Sequence, residues 1–241
     1  MTVVDPLRDE RGWAFRNGDG HSEDPINRFS FLSEAYHSTE PTYRARYTVP
    51  VLWDKSTRRI VSNSDDDMMR MLNSEFNAYS NSDVDLYPLE LGEEIDRIND
   101  LVYTDVNNGV YRAGFATTQS AYSTALKELF DTLDQLEELL DSRRYIAGER
   151  LTEADWRLFP TLIRFDAVYH GHFKCNIRRI VDYPNLWAYV RELYQVAGIA
   201  ATVDFDHIKR HYYITHDDIN PPRIVPEGPI MDLMSDHGRG G

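Results

Sequence analysis

Cysteine is nearly absent from this sequence: Cys175 is the single one in 241 residues. That excludes a disulfide framework and fits a reducing cytoplasm. Lysine is scarce too, occurring only at positions 55, 127, 174 and 209. The 26 Lys and Arg stand against 40 Asp and Glu, a formal net charge of −14. A field of that sign repels nucleic-acid phosphates and anionic membranes, so neither is expected as a partner. No apolar run approaches the ~20 residues that a membrane span needs. The start, MTVVDPLRDERGW, has neither a basic n-region nor an apolar h-region, so it does not read as a signal peptide. No internal repeat is found. The acidic excess reads first as adaptation to strong brine, where salt screens the self-repulsion, with ordinary acidic drift and a cationic partner as the alternatives.

What is present supports a sizeable core. Hydrophobic residues make up 41% of the chain, enough for one large domain or two small ones. The stretch that most resembles chemistry is YHGHFKCN, Tyr169–Asn176, with His170, His172 and Cys175. On a helix His172 and Cys175 share a face, and on a strand the two histidines do. A structural zinc site needs four ligands, usually in two pairs, and there is no second cysteine. His207 and His211, at i and i+4 in DHIKRHYY, are the one other candidate pair. A thiol nucleophile needs an exposed thiolate of low pKa, whereas lone cysteines are more often buried small hydrophobes. Packed core is the expected reading; metal and nucleophile remain alternatives, and no metal site is assigned.

The first half reads as mixed α and β. MTVV is a candidate strand, and a short helix is expected around Phe29–Tyr36. RYTVPVLWD and RRIVS are β-branched runs separated by KST, the signature of a hairpin. Pro50 marks an edge or a special turn there. In SNSDDDMMRMLNSEF three aspartates open a helix, where carboxylates suit the positive end of the macrodipole. Met69, Leu72 and Phe76 then form its expected apolar face. Ser80–Pro88 reads as a linker. Beyond it the pattern is helical. Leu126, Leu129, Phe130, Leu133, Leu136 and Leu140 form one stripe, Thr152 with Asp155 makes a capping box, and Pro184 opens a first turn. The tail after Tyr213 is expected to be irregular and its last residues disordered. The expected architecture is α+β: a small sheet-containing domain followed by an all-helical one.

Several long segments resemble the glutathione transferase superfamily. Thr48–Pro50 (TVP) is similar to its cis-proline turn, and LTEAD to the N-capping motif of its helical domain. The finer resemblance is to the glutathionyl-hydroquinone reductases, the Xi class. It is carried by NNGVYRAGFATTQSAY (Asn107–Tyr122), LTEADWRLFPTLIRFDAVYHGHFKCN (Leu151–Asn176) and VDFDHIKRHYYITH (Val203–His216), with GWAF (Gly12–Phe15) in support. The resemblance implies an incomplete thioredoxin-like domain at residues 1–82, a helical domain at 83–216 and an irregular tail at 217–241.

It also implies chemistry. Members reduce glutathionyl-hydroquinones through a cysteine in a Cys-Pro-Trp-Ala-His-Arg motif, which this sequence does not contain, so no catalytic residue is assigned. If MTVVDP is the second strand of the thioredoxin-like domain, a first strand and helix are expected upstream. The resemblance places Trp13, Val49, Pro50, Ser64 and Asp65 at the site of glutathione or a related low-molecular-weight thiol. Tyr111 and Tyr212, with Tyr213 as an alternative to the latter, are placed near the quinone ring. Ser64-Asp65 stands where the family has Glu-Ser; the aspartates read equally as helix caps. The implied partners are a small quinone or hydroquinone thioether and a second copy of the chain. A reductase, an inactive binding or dimerisation homologue, and a chain using Cys175 as its nucleophile are the three functions to distinguish.

Overall fold

The computed structural model describes residues 1–80 and 84–240. Two compact units emerge. The first comprises 1–84, 206–217 and 221–225; the second comprises 85–205, 218–220 and 226–241. The boundary expected at residues 82 and 83 lies outside the described residues, as does part of the expected linker.

In the first unit, β1 (Arg8–Asp9) pairs antiparallel with β2 (Gly12–Trp13). Gly12 sits at φ 98°, a conformation that glycine adopts without steric cost. MTVV forms no strand; Val3 only accepts a hydrogen bond from Ser22 N–H at 3.1 Å. A strand needs a ladder partner, and none of the described residues supplies one there. Helix α1 spans Leu32–Thr39, three residues later than expected at its start. The Asp24 carboxylate binds the N–H groups of Ile26, Asn27 and Phe29, and Glu34 binds those of Ser30 and Phe31. These bonds hold the approach to the helix in a non-helical path.

The expected hairpin forms as β3 (Leu52–Asp54) and β4 (Arg59–Ser62). Leu32, Ala35 and Tyr36 of α1 make a small core, against which Trp13, Phe29, Trp53 and Ile60 pack. Helix α2, Asp65–Ser74, departs from expectation in the face it buries. Met68 is its buried residue, whereas Leu72 is 66% exposed and Phe76 is exposed as well. Both faces carry methionines, and packing, not spacing, selected the Met68 side.

The second unit is built from α3 (Gly92–Leu101), α4 (Gly109–Gly114), α5 (Gln119–Ser142), α6 (Glu153–Arg164) and α7 (Pro184–Gln195). Among the described residues no helix is long and apolar enough to cross a membrane. The leucine stripe of α5 is buried along its length, and Thr118 caps its first turn by accepting from Ala121 N–H. Each such Leu contributes roughly 1.5–3 kcal/mol by leaving water. The capping box at α6 is present: Thr152 N–H donates to Asp155 at 2.8 Å. Asp155 also accepts from Ile146 N–H and the Tyr189 hydroxyl, so the cap ties α6 to α7. Burial raises its carboxyl pKa, against the opposing pull of these donors. The last helix, α8 (Phe205–Thr215), lies almost wholly in the first unit.

The tail holds no helix or strand among residues 217–240, but residues expected to be disordered there are tied to the second unit. Arg239, its side chain only 10% exposed, forms an ion pair of 2.8 Å with buried Glu192 of α7. Gln195 donates to the carbonyls of Leu233 and Ser235, and Leu233 is buried. A guanidinium that finds a buried carboxylate overrides the polar, glycine-rich composition.

Candidate functional site

The geometry around Trp13 follows from the register of its hairpin. Arg8 lies directly opposite Trp13, and cross-strand partners project to the same side of a sheet. The Arg8 guanidinium accordingly sits over the indole, 5.9 Å from the ring centroid. His211 of α8 stacks on the same indole, with ring centroids 4.9 Å apart and planes 28° from parallel. His211 Nδ1 is 2.8 Å from the Pro6 carbonyl, which can only accept, so this nitrogen carries the proton. Burial pushes the imidazole pKa down to about 4, and its neighbours His216, Arg8 and His207 push the same way. His211 is therefore neutral near pH 7. Tyr212, next in α8, is buried with its ring edge-on to both His211 and His216, and Tyr213 is half-buried.

Val49 and Pro50 are joined by a cis peptide bond, and Val49 is 43% exposed. The residue before them is fixed from two sides. The Tyr36 hydroxyl donates to the Thr48 carbonyl at 2.9 Å, and Asn63 Nδ2 donates to Thr48 Oγ1 at 2.9 Å. Asn63 immediately precedes Ser64. The bond between Asn63 and Thr48 thus brings the Val49–Pro50 turn and the start of α2 together in one unit. Ser64 Oγ accepts from Asp67 N–H at 3.1 Å and caps α2. Asp65 opens that helix with an exposed side chain.

In the second unit Tyr111 of α4 is part of an aromatic cluster. Its ring is nearly parallel to that of Phe115 and edge-on to Phe173 at 5.3 Å, with Tyr169 at 6.0 Å. Gly114 is required for this packing: a Cβ there would lie 2.3 Å from Phe173 Cγ. Tyr169 ends, and Phe173 follows, a π-helical turn, Phe165–Tyr169, that closes with His170 N–H donating to the Phe165 carbonyl. Tyr111 itself is partly exposed, so the cluster presents an aromatic surface with a phenol on it.

Cys175 is fully buried, its Sγ 3.9 Å from the Val110 and Phe173 carbonyls, and burial pushes its thiol pKa up to about 12. The reading of Cys175 as nucleophile is overturned; it is packed core. His172 is buried beside Phe173. Among the described residues no group of three His, Cys, Asp or Glu is placed to hold a metal ion. Sequence reasoning missed Arg8 and His211 as neighbours of Trp13. Two-residue strands carry no readable period, and α8 lies some two hundred residues from the hairpin.

The family described as Glutathione S-transferase, C-terminal domain, matches residues 116–192. Glutathionyl-hydroquinone reductase PcpF of Sphingobium chlorophenolicum is 51% identical over 233 residues, covering 97% of this chain and 74% of that protein. Glutathionyl-hydroquinone reductase YqjG of Escherichia coli K12 is 48% identical over 240 residues, covering 99% of this chain and 73% of that protein. The glutathione-bound structure of YqjG superposes with a TM-score of 0.97 over 99% of this chain and 78% of the other. A Xi-class glutathione transferase from Natrialba magadii, 48% identical, gives the same TM-score over 99% and 73%. The backbone therefore has the glutathione transferase fold, with thioredoxin-like elements followed by an all-α domain.

Proposed function

The chain belongs to the glutathionyl-hydroquinone reductases, the Xi class of glutathione transferases, and on that premise we propose that it binds glutathione, or a related low-molecular-weight thiol, together with a glutathionyl-hydroquinone in a thiol-dependent reduction. In this reaction a cysteine thiolate attacks the thioether sulfur. The bond between sulfur and ring carbon breaks, the ring carbon takes a proton, and the hydroquinone leaves. A second glutathione thiolate then attacks the mixed disulfide, releasing oxidised glutathione and restoring the cysteine thiolate. The motif cysteine is not among these 241 residues, and buried Cys175 does not replace it. The part assigned to this chain is to bind and orient.

The observation that carries the reading is the Thr48–Asn63 bond, which holds the exposed Val49 and its cis bond to Pro50 in one unit with the α2 N-terminus. There Val49 pairs with the thiol peptide, Trp13 lines it, and Asp65 accepts from the γ-glutamyl ammonium. On the aromatic surface of the second unit Tyr111 donates its phenolic proton to a hydroquinone oxygen, and Tyr212, or Tyr213 in its place, is the further phenol that the family resemblance implies for this substrate. Calorimetry of the chain with a glutathionyl-hydroquinone tests this. Binding by the wild type, weakened roughly three- to tenfold in Tyr111→Phe by loss of one hydrogen bond, is expected. No binding by the wild type overturns the reading.

A second reading, an inactive binding or dimerisation homologue, is favoured by the burial of the sole cysteine. Intact mass of the protein from its native source separates the two. A mass well above 28.0 kDa fits the reductase, and 28.0 kDa the binding homologue. The proposal includes a homodimer, which sedimentation velocity checks, and a reducing cytoplasmic setting.

A further inference from the structure

The first unit gathers arginines in a chain whose net charge is −14. Arg8, Arg11, Arg16 and Arg223 line a cavity of about 700 Å³, together with Asp9, Glu10 and Asp217. That volume is within the ordinary range for a small-molecule site. Arg223 holds its place at φ 55°, in the left-handed region that a non-glycine residue seldom occupies.

Most of these charges are already satisfied. Arg11 pairs with Asp9 at 2.5 Å and holds that carboxyl down at about 2. Arg16 pairs with Asp5 at 3.4 Å, and Arg223 with Asp217. Arg8 differs. Among the described residues its guanidinium has no carboxylate partner within ion-pair distance, and it lies over Trp13. Its backbone N–H donates to Thr215 Oγ1, and the register opposite Trp13 fixes which way the side chain leaves the strand. A guanidinium offers paired donors that match a carboxylate. Glu10, two residues on, is the one lining carboxylate without a partner among the described residues.

We propose that Arg8, which both lines this cavity and sits over Trp13, is a specificity-determining residue that anchors a carboxylate of the thiol co-substrate. The inference rests on the reading that Trp13 lines the thiol site. That reading also decides which carboxylate is meant. Asp65 repels an anion at the γ-glutamyl end, so the glycyl carboxylate, at the opposite end of the peptide, is the one assigned to Arg8.

The experiment is calorimetry of the chain with glutathione and with glutathione amidated at its glycyl carboxylate, using the wild type, Arg8→Gln, Arg8→Lys and Glu10→Gln. Arg8→Gln is expected to weaken glutathione about tenfold, the loss of one hydrogen bond to a charged group, and to leave the amide unchanged. Amidation alone costs the wild type a similar factor. Arg8→Lys recovers part of the loss, and Glu10→Gln tightens glutathione by removing a like charge. Circular dichroism melting confirms that each variant is folded. Equal binding of glutathione by Arg8→Gln and the wild type overturns the proposal, as does an equal loss for both ligands, which is the signature of a merely structural role. A wild type that binds neither ligand overturns the thiol-site reading and this proposal with it.

Discussion

The two units hold themselves together by different means. In the first, the buried apolar residues are Ala14, Leu32, Ala35, Tyr36, Met68 and Tyr212, and the strands are two to four residues long. Position there is fixed by polar contacts: Asp24 and Glu34 on backbone N–H groups, Tyr36 and Asn63 on Thr48, His211 on Pro6. In the second, long helices bury continuous stripes, and polar groups such as Asp155 and Glu192 cross-link a core that is already dense. On the proposed function the difference separates two tasks, with donors and charges for a peptide thiol in the polar unit and an exposed aromatic face in the apolar one.

Mutation tests that contrast most strongly in the second unit. Leu129→Ala removes a fully buried side chain from the centre of the α5 stripe. It is expected to cost about 2–5 kcal/mol, read by chemical denaturation. A comparable loss from truncating a side chain in the sparse core of the first unit, such as Met68→Ala, would break the distinction.

An intermediate effect belongs to the first unit and depends on pH. His211 has its folded pKa lowered from 6.5 to about 4. The unfolded chain therefore binds the extra proton first, and acid favours unfolding. Stability from this group is present above pH 6.5 and is lost as pH falls through 4, on the order of 3 kcal/mol in all. Melting the wild type and His211→Asn across that range checks it; the variant is expected to lose this part of the pH dependence. A wild-type slope that survives the substitution would show that other groups carry it.

Much of the second unit was legible in the sequence, since a stripe repeating every three or four residues over 24 positions has few alternative burials. The capping box and Pro184 were equally readable, because caps are local chemistry. The first unit was read less well. The hairpin at Leu52–Ser62 was found, but the apolar face of α2 was misassigned to Met69, Leu72 and Phe76. Ten residues with methionines on both sides do not say which side will be covered. The surroundings of Trp13 were unreadable for another reason: they join residues 8 and 211 through contacts that leave no pattern in either segment.

The smallest expected effect sharpens the same point. Leu72→Ser, at an exposed position of α2, is expected to change stability by no more than about 0.5 kcal/mol, measured by thermal melting. A larger loss would mean that the face expected from the sequence is covered after all.

Burial of Cys175 has a practical consequence. Its thiol is fully buried and burial holds it protonated near neutral pH, so the folded chain is expected to offer a maleimide no reactive sulfur. A cysteine introduced at exposed Leu72 or Tyr79 would then carry a fluorophore or spin label alone, with the native residue left in place. Distances between such reporters would follow thiol and quinone binding without disturbing the core.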